Sequence, residues 1–298
     1  MGRLFDMPIA PRAGSAQSSR CGSGGGHPFA GWPWRGALSR GHDLQLDASD
    51  TGAFLLPGAT VLDAMTISAS HLSHRYGATL ALDDLTLEVA SGEVCCLLGP
   101  NGAGKSTTIN CLLGFLTPTS GFAAISGVRV DRDPLQARSR LAYIPENVML
   151  YPYFTGRENL AFFSELGGHR YSPAELDALL VQTGLGRDDI ERRVGGYSKG
   201  MRQKVGIAIA LAKRATALLL DEPTSGLDPK ASNEFSRLLL DLRAQGTAIL
   251  MATHDIFRAR EVATSIGIMQ RGRLVHHFPA EQVSSQELES LYLATVAA

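Results

Sequence analysis

The sequence contains no apolar run approaching the roughly 18 residues of a membrane-spanning helix, and its densest stretch, 205–212, is far too short. Any membrane association is therefore expected through a partner. No sign of charge predominates: 28 Lys+Arg against 29 Asp+Glu leave a net charge of -1, and charged residues make up only 19%. That balance excludes the basic footprint of a nucleic-acid binder and an acidic interaction tail. Cysteine is scarce. Cys21, Cys95, Cys96 and Cys111 show no C-x-x-C spacing, and the last three fall in a predicted strand and helix, where they read as buried cytosolic thiols.

What is present suits a globular protein. With 298 residues and 44% hydrophobic content, the chain can bury a full core in one large domain or two small ones. Residues 1–64 stand apart, rich in Gly, Pro, Ser and Arg, with Gly22-Ser23-Gly24-Gly25-Gly26 and Trp32-Pro33-Trp34 and no sustained periodicity; they are expected to be a disordered or weakly ordered leader. The first 42 residues carry five Arg and one acid, Asp6, the bias of an organelle transit peptide without its amphipathic pattern. An upstream start codon is the other reading, because Met65 immediately precedes Thr66-Ile67-Ser68-Ala69, where regular patterning begins.

The chain is organised around Gly99-Pro100-Asn101-Gly102-Ala103-Gly104-Lys105-Ser106-Thr107, which fits G-x-x-x-x-G-K-[ST]. An apolar strand over 93–98 precedes it and a helix over 107–113 follows, the context a phosphate-binding loop requires. Its glycines let successive backbone N–H groups turn toward one anion, and the helix beginning near Lys105 adds its positive end. Lys105 is expected to reach the β- and γ-phosphates of a nucleotide and Ser106 to ligate Mg2+.

Upstream, alternation over 66–76 and 81–89 predicts antiparallel strands with Tyr76 at their turn, where its ring either stacks on a purine or is an ordinary strand-end aromatic. Downstream, short strands are expected over 122–126 and 141–144, the second stopped by Pro145-Glu146-Asn147. A helical insertion then runs from about 148 to 214. Within it, Ser172-Pro173-Ala174-Glu175 has capping-box spacing with Pro at the first helical position. A buried helix over 201–214 follows Gly195-Gly196-Tyr197-Ser198-Lys199-Gly200. The aromatic set Tyr151, Tyr153, Phe154, Phe162 and Phe163 either lines a groove for a partner's helix or is core.

An apolar strand over 217–220 ends in Asp221-Glu222, and strand alternation would send the two acids to opposite sides. Asp221 is expected to hold Mg2+ through water and Glu222 to polarise the attacking water. Helices over 232–244 and 257–263, strands over 247–253, 266–270 and 273–277, and a short final helix over 285–293 complete the pattern.

With the phosphate loop, Tyr197-Ser198-Lys199-Gly200-Met201, Asp221-Glu222, Ser225-Gly226-Leu227-Asp228 and His254 in that order, the chain resembles the ATP-binding-cassette (ABC) ATPases over about residues 66–277. The resemblance implies an α/β fold: a phosphate-loop NTPase core of mainly parallel sheet, an antiparallel β subdomain and a helical insertion. The cassette would occupy 65–278 and a short helical tail 279–298. ATP and Mg2+ are the implied cofactors, with Tyr76 stacking on adenine, Ser198 and Gly200 forming the signature, Asp228 linking two sites and His254 touching the γ-phosphate. Two copies would pair head to tail with two ATP at the interface, and a second anion cradle at Ser198 suits the partner's ATP.

Two departures stand out. The usual Leu-Ser-Gly-Gly-Gln signature has Tyr197, Lys199 and Met201 in place of Leu, the first Gly and Gln. Glu146 stands where Gln is common; its carboxylate can ligate Mg2+ as a hard oxygen donor but also repels the γ-phosphate. Both features, with Tyr143-Ile144-Pro145-Glu146-Asn147 and Tyr151-Pro152, are similar to ATPase subunits of ABC-2-type exporters, including those serving copper-site maturation of nitrous oxide reductase. Such a subunit is cytoplasmic, peripheral on the inner face of the membrane through a separate permease. The competing class, soluble cassettes acting on ribosomes or DNA, usually has tandem cassettes or a long coiled coil, and neither is visible here. A non-hydrolysing scaffold is disfavoured by Glu222 and His254.

Overall fold

A computed structural model of the chain describes residues 65–297; the expected leader lies outside the described residues. Two sheets make up the framework. The larger has six strands in the order β10-β9-β3-β8-β7-β6, where β3 is Val94–Leu98, β6 Leu141–Ile144, β7 Ala217–Asp221, β8 Ala248–Thr253, β9 Ser265–Gln270 and β10 Arg273–Pro279. All its neighbours run parallel except the β9–β10 hairpin. The smaller sheet is antiparallel, in the order β2-β1-β4-β5, with β1 at Met65–Tyr76, β2 at Thr79–Ala90, β4 at Ser120–Ile125 and β5 at Val128–Arg129. The predicted β1–β2 hairpin thus belongs to a different sheet from the strand it leads into.

The apolar run of β3 is explained by burial on both faces. Cys95 and Leu97 join the core between the two sheets, while Val94, Cys96 and Leu98 join the core on the far side, a period-two partition of one strand. Helix α1 (Lys105–Leu112) lies in the first core through Ile109 and Leu112. Helices α6 (Pro229–Ala244), α7 (Ile256–Val262) and α8 (Ser285–Ala297) cover the other face through Phe235, Leu239, Val262 and Leu288. Burial pushes the Cys95 thiol up to about 12 and the Cys111 thiol up to about 11, so both are inert core groups.

Between β6 and β7 the chain forms α3 (Gly156–Leu166), α4 (Pro173–Gln182) and α5 (Lys199–Ala212), which share their own apolar cluster around Leu160, Leu180, Val205 and Ala208. The capping box expected at Ser172 and Glu175 is formed, and Thr155 with Glu158 forms a second one at the start of α3. Arg157 ties the helices together, holding Asp177 at 2.6 and 2.7 Å and also pairing with Glu191. The aromatic set does not enter this core. Tyr153 is 81% exposed, Tyr151, Phe154 and Phe162 are also exposed, and Tyr151 packs edge-on to Phe162 at 4.9 Å.

Strand β5, read from the sequence as a connection, a short helix before β6 and the end of helix α8 differ from expectation. Helix α2 (Pro134–Ser139) was not signalled by periodicity, because six residues are too few, yet Asp133 caps it by accepting from Gln136 N and Pro134 opens it. Helix α8 continues past 293 to Ala297, where Gln270 Nε2 donates to Thr295 O at 2.5 Å.

Candidate functional site

The loop after β3 and the first turn of α1 form one wall of a cleft of about 440 Å³. Pro100, Asn101, Gly102, Ala103, Gly104, Lys105, Ser106 and Thr107 line it together with Tyr76, Glu146, Asp221 and Glu222. Gly99 stands behind this wall at the end of β3, so close to β9 that a Cβ there would lie 2.6 Å from Met269 O. The backbone closes on itself through Ala103 N donating to Pro100 O at 3.1 Å and Thr108 N donating to Gly104 O at 2.9 Å. The loop thus lines the cleft at the N-terminus of α1, an arrangement that attracts anions.

Lys105 is 6% exposed, and its ammonium donates to Gly99 O at 2.5 Å and Pro100 O at 3.3 Å. Burial lowers its pKa, while Glu222 and Asp221 pull the other way; Glu222 Oε1 lies 3.8 Å from Nζ. Ser106 Oγ donates to Asp221 Oδ1 at 3.4 Å. Burial is also the first cause that raises the Asp221 pKa, opposed by the Ser106 hydrogen bond and reinforced by Glu222 and Glu146.

Glu222 corrects an expectation. β7 ends at Asp221, and Glu222 adopts φ 46, so a left-handed residue rather than strand alternation aims the second carboxylate. Its backbone N donates to Ala252 O at 2.9 Å, which fixes the kink against β8. The side chain then sits between three groups: Lys105, the Thr253 hydroxyl donating to Oε2 at 3.2 Å, and His254 Nδ1 at 2.9 Å from Oε2. His254 itself is 59% exposed and lines an adjoining cleft with Ser225 and Gly226, in which Glu222 is shared. Such a carboxylate can orient or deprotonate a water beside a bound phosphate.

Tyr76 is 49% exposed at the cleft mouth, buttressed edge-on by His74 at 4.7 Å. His74 Nδ1 in turn donates to Thr117 O at 3.0 Å. The exposed tyrosine face is placed to stack on a flat ring.

Ser198, Gly200 and Asp228 line no part of this cleft; they border a separate one between α5 and α6. Ser198 caps α5 by accepting from Met201 N at 3.2 Å, and Asp228 caps α6 by accepting from Ala231 N at 2.9 Å. Glu146 borders the phosphate cleft but turns its carboxylate to Lys199 Nζ at 3.5 Å and to the Ser225 hydroxyl, which donates at 3.1 Å. Among the described residues no group of three or more His, Cys, Asp or Glu converges as a metal cage.

Sequence reasoning missed two contributors. Thr253 was legible as the strand-end neighbour of His254. Gly272 had no local signal: it sits in the β9–β10 turn, where its N donates to Ala103 O and its carbonyl accepts from Asp83 N, both at 2.9 Å, joining the phosphate loop to β2.

A family model described as ABC transporter matches residues 82–225. An uncharacterized ABC transporter ATP-binding protein of Bacillus subtilis, YdbJ, is 37% identical over 204 residues, 68% of this chain and 66% of that protein, so the chain spans just under two thirds of its length. The bacitracin transport ATP-binding protein BcrA of Bacillus licheniformis is 33% identical over 226 residues, covering 76% of this chain and 73% of that one. A solved ATP-binding subunit of an ABC transporter superposes with a TM-score of 0.69 at 33% identity, over 77% of this chain and 99% of that one. By its phosphate cleft, its two sheets and these relatives, the chain belongs to the ATP-binding-cassette ATPases of ABC transporters.

Proposed function

We propose that the chain is the ATP-hydrolysing subunit of a two-component exporter, pairing head to tail with a second copy and driving a separate membrane permease from the cytoplasmic face. The observation that carries this reading is the carboxylate of Glu222, held by His254 and Thr253 beside the Lys105 ammonium. On this reading Lys105 and the loop N–H groups take the phosphates, Tyr76 takes the adenine, and Glu222 orients the attacking water, with His254 setting its position.

Mg2+ suits the oxygen donors present. Ser106 and Asp221 are hard ligands already within hydrogen-bond reach of each other, whereas Glu146, expected from the sequence as a third ligand, borders the cleft with its carboxylate engaged by Lys199 and Ser225 instead. Bound there, the ion supplies neutralisation of charge on the β- and γ-phosphates.

Head-to-tail pairing is supported by the separation of the two clefts. Ser198, Gly200 and Asp228 lie away from the phosphate loop of their own chain, so the start of α5 and the Ser198 hydroxyl proton on that side can serve the ATP of a second copy. Cassettes of this family form dimers and work with transmembrane subunits. The exposed aromatic patch formed by Tyr151, Tyr153, Phe154 and Phe162, with Met149 83% exposed nearby in sequence, offers a surface for a permease helix.

The test is Glu222→Gln. It should retain ATP binding and lower turnover by about 10²–10⁴. ATP should then hold two copies together, visible as a doubled mass by light scattering. Wild-type turnover in that variant would falsify the assignment of Glu222.

A further inference from the structure

We infer that Lys199 is a positioning residue for ATP binding in its own chain: it holds the carboxylate of Glu146 away from the nucleotide phosphates and ties that carboxylate to helix α5. The inference rests on the reading that the phosphate cleft takes ATP.

Three carboxylates, Glu146, Asp221 and Glu222, border a cleft built for a polyanion. Glu222 has Lys105 at 3.8 Å as its counter-charge, and Glu146 has Lys199 at 3.5 Å. Lys199 approaches from outside the cleft. It occupies the first helical position of α5, where a cation opposes the helix dipole and gains nothing from the helix itself. Its place there is explained by its partner.

Glu146 is gripped twice by the same helix face. Lys199 takes the side chain, and Gln203, one turn further along α5, donates its Nε2 to Glu146 O at 3.2 Å. Gln203 is 1% exposed, so this contact is a fixed part of the interior. The loop after β7 closes the group: the Ser225 hydroxyl donates to Glu146 Oε1 at 3.1 Å, and Lys199 Nζ stands 3.8 Å from where a Cβ on Gly226 would be. One carboxylate thus joins the strand-end loop of β6, the start of α5 and the loop beyond Glu222. Remove the ammonium, and Glu146 keeps a single hydroxyl partner and an uncompensated charge beside the phosphates.

The experiment is a double-mutant cycle on the full chain, with binding of N-methylanthraniloyl-ATP read at protein concentrations where it is monomeric, so that no partner's Lys199 can reach the ligand. Lys199→Ala should weaken binding about two- to fivefold, the range of a partly exposed ion pair. Lys199→Arg should restore it. In the Glu146→Gln background, Lys199→Ala should have no effect. An equal loss in both backgrounds overturns the inference, since Lys199 would then act on the nucleotide or the fold directly. No loss in either background overturns it too. A wild-type chain that fails to bind the probe overturns the reading of the cleft as well, which separates the two failures.

Discussion

Replacing Gly272 by Ala should damage the phosphate loop from a distance. Gly272 has φ +82, in the left-handed region, where an alanine costs about 1–2 kcal/mol. A Cβ there would also lie 2.7 Å from Ala81 O and 3.0 Å from Leu82 Cα, both backbone atoms of β2 that cannot rotate away. Overpacking of that kind adds about 1–3 kcal/mol. The sum, about 2–5 kcal/mol, lowers Tm by roughly 4–20 °C for a domain of this size. The control is Gly168→Ala after α3: its φ is +85 and nothing lies within 4 Å of its Cβ position, so strain acts alone. It should lose roughly 2–8 °C. Calorimetry gives the two Tm values, and steady-state kinetics gives the KM for ATP. Gly272→Ala should raise KM, because the turn's N–H supports Ala103 O, whereas Gly168→Ala should leave KM unchanged. Equal Tm losses in the two variants refute the overlap argument; an unchanged KM in Gly272→Ala refutes the turn's support of the loop.

Two further outcomes are expected. Tyr76→Ala should raise the KM for ATP by about fivefold or more and flatten the preference for adenine, while Tyr76→Phe keeps both; an Ala variant with wild-type KM rules out stacking. Burial raises the Asp221 pKa, so the protonated carboxyl, a poor metal ligand, accumulates at a higher pH than for an ordinary carboxylate. The Mg2+ concentration for half-maximal ATPase should therefore rise on acidification. An Mg2+ requirement indifferent to pH counts against Asp221 as a ligand.

What was legible in the sequence was contiguous. Nine consecutive residues from Gly99 carry the phosphate loop, and the flanking strand announces itself because both its faces are buried. Ser172 with Glu175 is a local signal for a local event, and it formed as read. The site's finer geometry depends on contacts across the chain. Gly272 meets Ala103 only because β9 and β3 are neighbours in the sheet. Lys199 meets Glu146 because α5 packs back against the end of β6. Glu222 shows a third limit: alternation along an apolar strand predicts where a side chain points only while the strand lasts, and this one stops a residue earlier.

The Lys105 ammonium, donating to two carbonyls of its own loop, has a consequence for selectivity. An incoming anion meets an ammonium with two of its three donors already taken, and must compete with the two oxygens in place. Entry is thus an exchange reaction with a threshold. A small monoanion such as chloride brings a single charge and reaches few of the loop's donors at once. A triphosphate brings several charged oxygens at once and engages the loop N–H groups in the same step. The cleft therefore favours a ligand that presents several charged oxygens at once over a small monoanion.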